Sequence, residues 1–360
     1  MFLDLTAEQT TLRDELRAYF TGLNSPTERD AMLTDRHGTV YREVVRRMGR
    51  DGWLGVGWPT EYGGRGLGQV EQQIFANEAA RADVPLPAVT LQTVGPTLQA
   101  HGTAEQKEFF LPKILAGEVH FAIGYTEPEA GTDLASLRTR AVWDGESYVV
   151  NGEKIFTSGG HDADYVWLAC RTDPEAPRHK GISILIVDTT DPGYSWTPII
   201  TLDGAHHVNA TYYSDVRVPA TRRVGAENSG WQLITTQLNH ERVMLGPAGR
   251  IGVLRQRVGN WAAGTAGPDG RPLLEQPDVR RALAGARAAE RVNELLNWQV
   301  AVADTLDVAD ASLTKVFSSD HVQRIGAQLA ELVSRHGDQA DAATADRPAG
   351  WTCRTSATRC

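Results

Sequence analysis

Apolar residues recur every fourth position early in the chain, at Leu12, Leu16 and Phe20, behind a Thr6–Gln9 pair with capping-box spacing. This pattern predicts an amphipathic helix. A second helix is predicted around 40–48, where Val44, Val45 and Met48 are apolar and Arg42, Arg46 and Arg47 read as a solvated face. GWPTEYGGRGLG, residues 57–68, carries too much glycine for a regular element. Helices over about 70–82 and 104–115 follow, and Pro112 is expected to bend or divide the latter. From about 120 the period shortens to two. Runs at 147–154, 164–170, 181–188 and 210–218 read as strands, with Asn151-Gly152 a hairpin signal. Helical periodicity returns at Trp231 and lasts to about 337, broken at 264–272. Helices, then strands, then helices is an α+β order, not the alternation of a doubly wound sheet. The expected domains are 1–120 (helical), 121–228 (β) and 229–338 (helical), followed by 339–360.

Composition narrows the function classes. Acidic residues outnumber basic ones, 45 to 36, the reverse of a phosphate-neutralising nucleic-acid binder. No apolar run approaches membrane-spanning length, and the N-terminus lacks a basic segment ahead of an apolar one. Three cysteines do not make a secreted disulfide framework, so a cytoplasmic protein is expected. There is no GxGxxG opening a helix after a strand, no GxxxxGK[ST], no HExxH, no paired CxxC and no GxSxG. His206 and His207 read as an exposed turn, and no metal site is expected.

Three segments carry candidate chemistry. In WQLITTQLNHERVMLGPAG, from Trp231, the spacing of Ile234, Leu238, Glu241 and Leu245 places a carboxylate on an apolar helix stripe. Two readings stay open for Glu241, a structural ion pair or a raised-pKa base for a weakly acidic C–H proton. GYTEPEAGTD, residues 124–133, combines permissive Gly124 and Gly131 with the hydroxyls of Thr126 and Thr132, which suits a flat polar ligand edge and equally an ordinary turn. Phe156, Thr157 and Ser158 set an aromatic face beside small donors, as a core position or as a platform.

The order of these motifs resembles the acyl-CoA dehydrogenase family. GWPTEYGGRGLG resembles its N-terminal glycine-rich signature, and HGTAEQKEFFLPKILAGEVHFAIGYTEPEAGTDLASL its passage from N-terminal helices into a middle β-domain. VNGEKIFTSGGHDADYVWLA resembles the flavin-facing strand and turn, and VRVPATRRVGAENSGWQLITTQLNHERVMLGPAG the entry to a C-terminal helical bundle. More narrowly, the chain is similar to flavin-bearing subunits acting on steroid side-chain CoA thioesters in bacterial cholesterol catabolism.

The resemblance implies FAD as cofactor and conversion of an acyl-CoA to a trans-2-enoyl-CoA. It implies Glu241 as catalytic base, which favours that reading over the ion pair, and Arg242 near the substrate. Tyr125, Thr126, Gly131, Thr132, Phe156, Thr157 and Ser158 correspond to flavin-contacting positions. A homo- or heterotetramer with another such subunit, and electron-transferring flavoprotein as acceptor, are the implied partners; no nucleic acid or membrane is. A non-catalytic or FAD-deficient partner subunit and a flavin oxidase or monooxygenase on the same fold are the alternatives. From Gln339, QADAATADRPAGWTCRTSATRC matches neither the family's further helix nor its glycine-rich FAD segment. It reads either as a disordered tail or, in view of the abrupt change, as a truncated or frame-shifted C-terminus.

Overall fold

The computed structural model describes residues 4–244, 246–303 and 307–337, except the side chains of 33, 34 and 239–244. The expectations for 339–360 and for Leu245 lie outside these residues. Helices α1 (Ala7–Leu23), α2 (Pro26–Thr34), α3 (Thr39–Arg50), α4 (Gln69–Arg81), α5 (Gly95–His101) and α6 (Ala104–Leu115) precede the strands. The strands are β1 (Phe121–Gly124), β2 (Arg140–Trp143), β3 (Ser147–Ser158), β4 (Tyr165–Arg171), β5 (Ile182–Asp188), β6 (Tyr194–Ile200), β7 (His206–Pro219) and β8 (Arg223–Val224). Helices α7 (Gly230–Met244), α8 (Gly249–Gly264), α9 (Pro277–Ala301) and α10 (Val308–Gly337) follow. Contacts group the chain into two compact units, residues 1–24, 68–85 and 242–360, and residues 25–67 and 86–241.

The first unit is helical. The predicted capping box opens α1: Thr6 Oγ1 accepts from Gln9 N and Gln9 Oε1 accepts from Thr6 N. Arg17 of α1 grips buried Glu78 of α4 through two hydrogen bonds of 2.9 and 3.0 Å. On α8, a Cβ at Gly249 would lie 2.1 Å from the Asn77 carbonyl oxygen, so only glycine permits this approach to α4. Burial alone would raise the carboxyl pKa of Glu290 on α9, but Arg81 and Arg255, at 2.8 and 2.9 Å, hold it below the ordinary value. Ile251, Val258, Ala286, Ile325 and Leu329 form the core between α8, α9 and α10.

The second unit is built on the sheet, which among the described residues has eight strands in the order β6-β7-β3-β2-β4-β5-β8, with β1 parallel to β4. ISILIV is strand β5, buried along its length beside β4, which explains an apolar run without alternation. Val150, Val166, Leu168, Leu185, Val187, Tyr213 and Val216 fill the core.

Several sequence expectations change here. Asn151-Gly152 does not turn a hairpin; it lies inside β3 at a register shift against β7. Asn151 exchanges two hydrogen bonds with Asp215, the left-handed residue of a bulge on β7, and so steadies that bulge from the opposite strand. Helix α6 runs through Pro112 undivided; the carbonyl left without its amide donor belongs to exposed Glu108. Arg42 is not a solvated residue but pairs with Asp162 at 2.8 Å and Asp164 at 3.2 Å. His206 and His207 belong to strand β7 and are half-buried, and His206 stacks on His161 with ring centroids 4.1 Å apart. Strands β1, β2, β6 and β8 were not predicted; they are short or lack strict alternation.

Candidate active site

The chain leaves the sheet after β1 at Gly124, where a Cβ would fall 2.9 Å from Val166 and 3.0 Å from Leu168. That crowding explains the glycine. The next residues, Tyr125–Asp133, form a loop fastened to the far half of β3. Thr126 O accepts from Ile155 N at 2.8 Å, and Glu127 and Ala130 close a tight turn through paired backbone bonds of 3.1 Å. Lys154, with 1% of its surface exposed, donates to Tyr125 O at 3.0 Å and to Glu127 Oε1 at 2.8 Å. The Glu127 carboxylate also accepts from the amides of Arg138 and Thr139. Burial works to raise the Glu127 carboxyl, but Lys154 and the two amides bring it below its ordinary value. Burial lowers the Lys154 pKa against the pull of Glu127.

On β3 itself the register slips between Lys154 and Thr157, and Phe156 sits at φ 60°, left-handed for a non-glycine residue. The residue is 61% exposed. Ser158 is also exposed, whereas Thr157 is buried with its hydroxyl 3.2 Å from that of Thr211. Gly131 and Thr132 lie on the exposed side of the loop. The structure therefore sets Thr126 beside Ile155–Ser158 at one end of the sheet.

Helix α7 reaches the same place through Gln237. Its Oε1 accepts from the Tyr125 hydroxyl and, at 3.3 Å, from Trp167 Nε1, which also lies 3.2 Å from the Tyr125 hydroxyl. Glu241 follows one turn later on α7 and Arg242 succeeds it; both side chains lie outside the described residues. Sequence reasoning missed Glu127, Lys154, Trp167 and Gln237. One of them had a signal. Lys154 shares the inward parity of Tyr148 and Val150, so it is a charge on a buried strand face, the strand counterpart of Glu241 on its helix stripe.

An exposed Phe156 on a strained backbone, next to exposed Ser158 and on the strand to which Thr126 is bonded, fits a flat polar ring system such as a flavin. Among the described residues no group of three or more His, Cys, Asp or Glu side chains could hold a metal ion, and no helix is long and apolar enough to cross a membrane.

Comparison with known proteins identifies the class. Residues 6–118, 122–233 and 228–349 match the N-terminal, middle and C-terminal domains of acyl-CoA dehydrogenases, the last match extending past position 339. The chain belongs to the acyl-CoA dehydrogenase family. It is 66% identical over 347 residues to the acyl-CoA dehydrogenase FadE29 of Mycobacterium tuberculosis, covering 96% of this chain and 89% of that one. Among solved structures it resembles the ChsE4-ChsE5 complex of Mycobacterium tuberculosis, with TM-score 0.85, 50% identity, and 93% and 87% of the two chains covered. It also resembles the Tcur3481-Tcur3483 steroid acyl-CoA dehydrogenase, with TM-score 0.86, 51% identity, and coverage of 92% and 86%. The N-terminal helical, middle β and C-terminal helical order is thus that of the family.

Proposed function

We propose that this protein is an FAD-dependent acyl-CoA dehydrogenase that converts an acyl-CoA thioester to its trans-2-enoyl-CoA. The observation that carries this reading is the convergence of the Tyr125–Thr126 loop, the Phe156–Ser158 bulge and helix α7. FAD, when bound, supplies the two-electron acceptor. In this reading Phe156 offers its ring face, Thr126, Thr132 and Ser158 offer hydroxyls, and Tyr125, Gly131 and Thr157 shape the backbone around the cofactor. Glu241 takes the α-proton of the thioester on its carboxylate and Arg242 lies near the substrate. By helical spacing Glu241 falls on the α7 stripe that carries buried Ile234, a position that suits the base for a carbon acid.

A steroid side-chain thioester is the proposed substrate class, supported by 51% identity to a protein described as a steroid acyl-CoA dehydrogenase. Assembly with a second acyl-CoA dehydrogenase subunit is proposed from the likeness to a two-protein complex. Electron-transferring flavoprotein is the proposed acceptor, and the cytoplasm the proposed location. The test is anaerobic titration of the purified flavoprotein with straight-chain and steroidal CoA thioesters. Wild type should bleach its flavin absorbance, whereas Glu241→Gln should keep the flavin and reduce it at least about a thousandfold more slowly. Reduction of Glu241→Gln at the wild-type rate would overturn the assignment.

A further inference from the structure

Gln237 holds a buried amide nitrogen that nothing among the described residues satisfies. The side chain is 2% exposed, and among the described residues its Nε2 has no hydrogen-bond partner. The orientation of the amide is not arbitrary. Trp167 Nε1 can only donate, so the atom facing it must be the Gln237 oxygen, and the Tyr125 hydroxyl shares that oxygen. Two N–H donors are therefore turned away from Trp167 and left unpaired in a buried position. Buried donors are nearly always satisfied, and leaving one unmade is costly. Such a donor awaits an acceptor that the described residues do not supply.

Its location says which acceptor. Gln237 touches Tyr125, the residue before Thr126, and precedes Glu241 by four positions, a spacing that puts the two positions on one face of α7. It thus stands between the loop read as cofactor-binding and the chain position of the proposed base. We propose that Gln237 positions and selects the substrate by donating a hydrogen bond from Nε2 to an oxygen carried by the acyl group. This rests on the acyl-CoA dehydrogenase reading and adds a chemical class to it, acyl groups bearing a carbonyl or hydroxyl oxygen. One helical turn rises about 5.4 Å, which puts that oxygen near the γ or δ carbon of a thioester whose α-carbon faces Glu241.

The probes are γ-ketopentanoyl-CoA against pentanoyl-CoA and δ-ketohexanoyl-CoA against hexanoyl-CoA. Binding is measured by calorimetry in the Glu241→Gln holoprotein, where no turnover intrudes. With Gln237 present, at least one keto thioester should bind about tenfold more tightly than its methylene counterpart, the effect of one neutral hydrogen bond in a buried site. Gln237→Glu keeps an acceptor for Trp167 and Tyr125 while removing a donor, and should abolish or reverse that preference. Gln237→Met should abolish it too and serves if the glutamate variant folds poorly. An unchanged ratio in a folded variant, or no keto preference with Gln237 in place, overturns the inference and leaves the dehydrogenase reading standing. Absence of binding by all four thioesters, with no flavin bleaching by steroidal thioesters in wild type, overturns both.

Discussion

Phe156 is the residue that folding alone does not explain. A left-handed conformation costs a non-glycine residue about 1–2 kcal/mol, and an exposed ring recovers little of it by burial. Strain of this kind persists where the surroundings enforce it, and it gathers at ligand sites. The register slip between Lys154 and Thr157 is what turns the ring outward. Phe156→Gly should therefore raise the stability of the flavin-free protein by about 1 kcal/mol, read from urea unfolding midpoints. The same change should weaken FAD at least about tenfold in equilibrium dialysis, because a stacking face is lost. A variant that gains stability and keeps its FAD affinity would show that the ring serves no ligand.

At the scale of elements, the Tyr125–Asp133 loop is held to β3 by the buried Lys154–Glu127 pair rather than by apolar packing. Lys154→Met strands the Glu127 carboxylate with backbone amides alone and should cost about 3–5 kcal/mol in chemical unfolding. Glu127→Gln combined with Lys154→Met removes the stranded charge and should recover more than half of that loss, a coupling that a double-mutant cycle measures. Additive losses would mean that the two side chains do not act together. This pair also marks the limit of what the sequence disclosed. Helices α1, α3, α4 and α6 were legible because their apolar positions recur at the helical period and capping residues mark α1 and α6. Long strands were legible by alternation or sustained apolar character. Asn151-Gly152 misled because the pair lies opposite a bulge on β7, where Asp215 takes the left-handed conformation, and only the pairing of β3 with β7 reveals this. Of the site, the loop and the Phe156 segment could be named from their residue types. Trp167 and Gln237 could not, since their significance lies in a contact between residues 70 positions apart.

At the scale of the whole chain, the same long-range packing sets the response to acid. His37 and His120 flank the Tyr41 ring at 6.0 and 5.6 Å, joining α3 and its preceding loop to the sheet. Burial, foremost, pushes each imidazole from the ordinary 6.5 down to about 4. Around His37, His161 and His207 oppose its protonation and Asp35 favours it; around His120, Arg42 and Arg46 oppose it and Asp164 favours it. Both histidines bind protons more readily in the unfolded chain than in the folded one, so acid draws the equilibrium toward unfolding. Their stabilising contribution is intact above pH 6.5 and falls as pH drops from 6.5 toward 4. Paired carboxylates behave differently. Glu28 and Asp144 are held down to about 2, so their contribution begins to fade only once the pH approaches the ordinary carboxylate range. Two acid phases are therefore expected, a histidine phase and then a carboxylate phase. In urea titrations at successive pH values, stability should decline by up to about 2 kcal/mol per pH unit within the histidine phase. His37→Gln with His120→Gln should make that phase shallower, leaving the smaller part owed to His161 and His207, whose pKa values burial also lowers, and should leave the carboxylate phase in place. An unaltered slope above pH 5 in the double variant would assign the acid sensitivity to other groups.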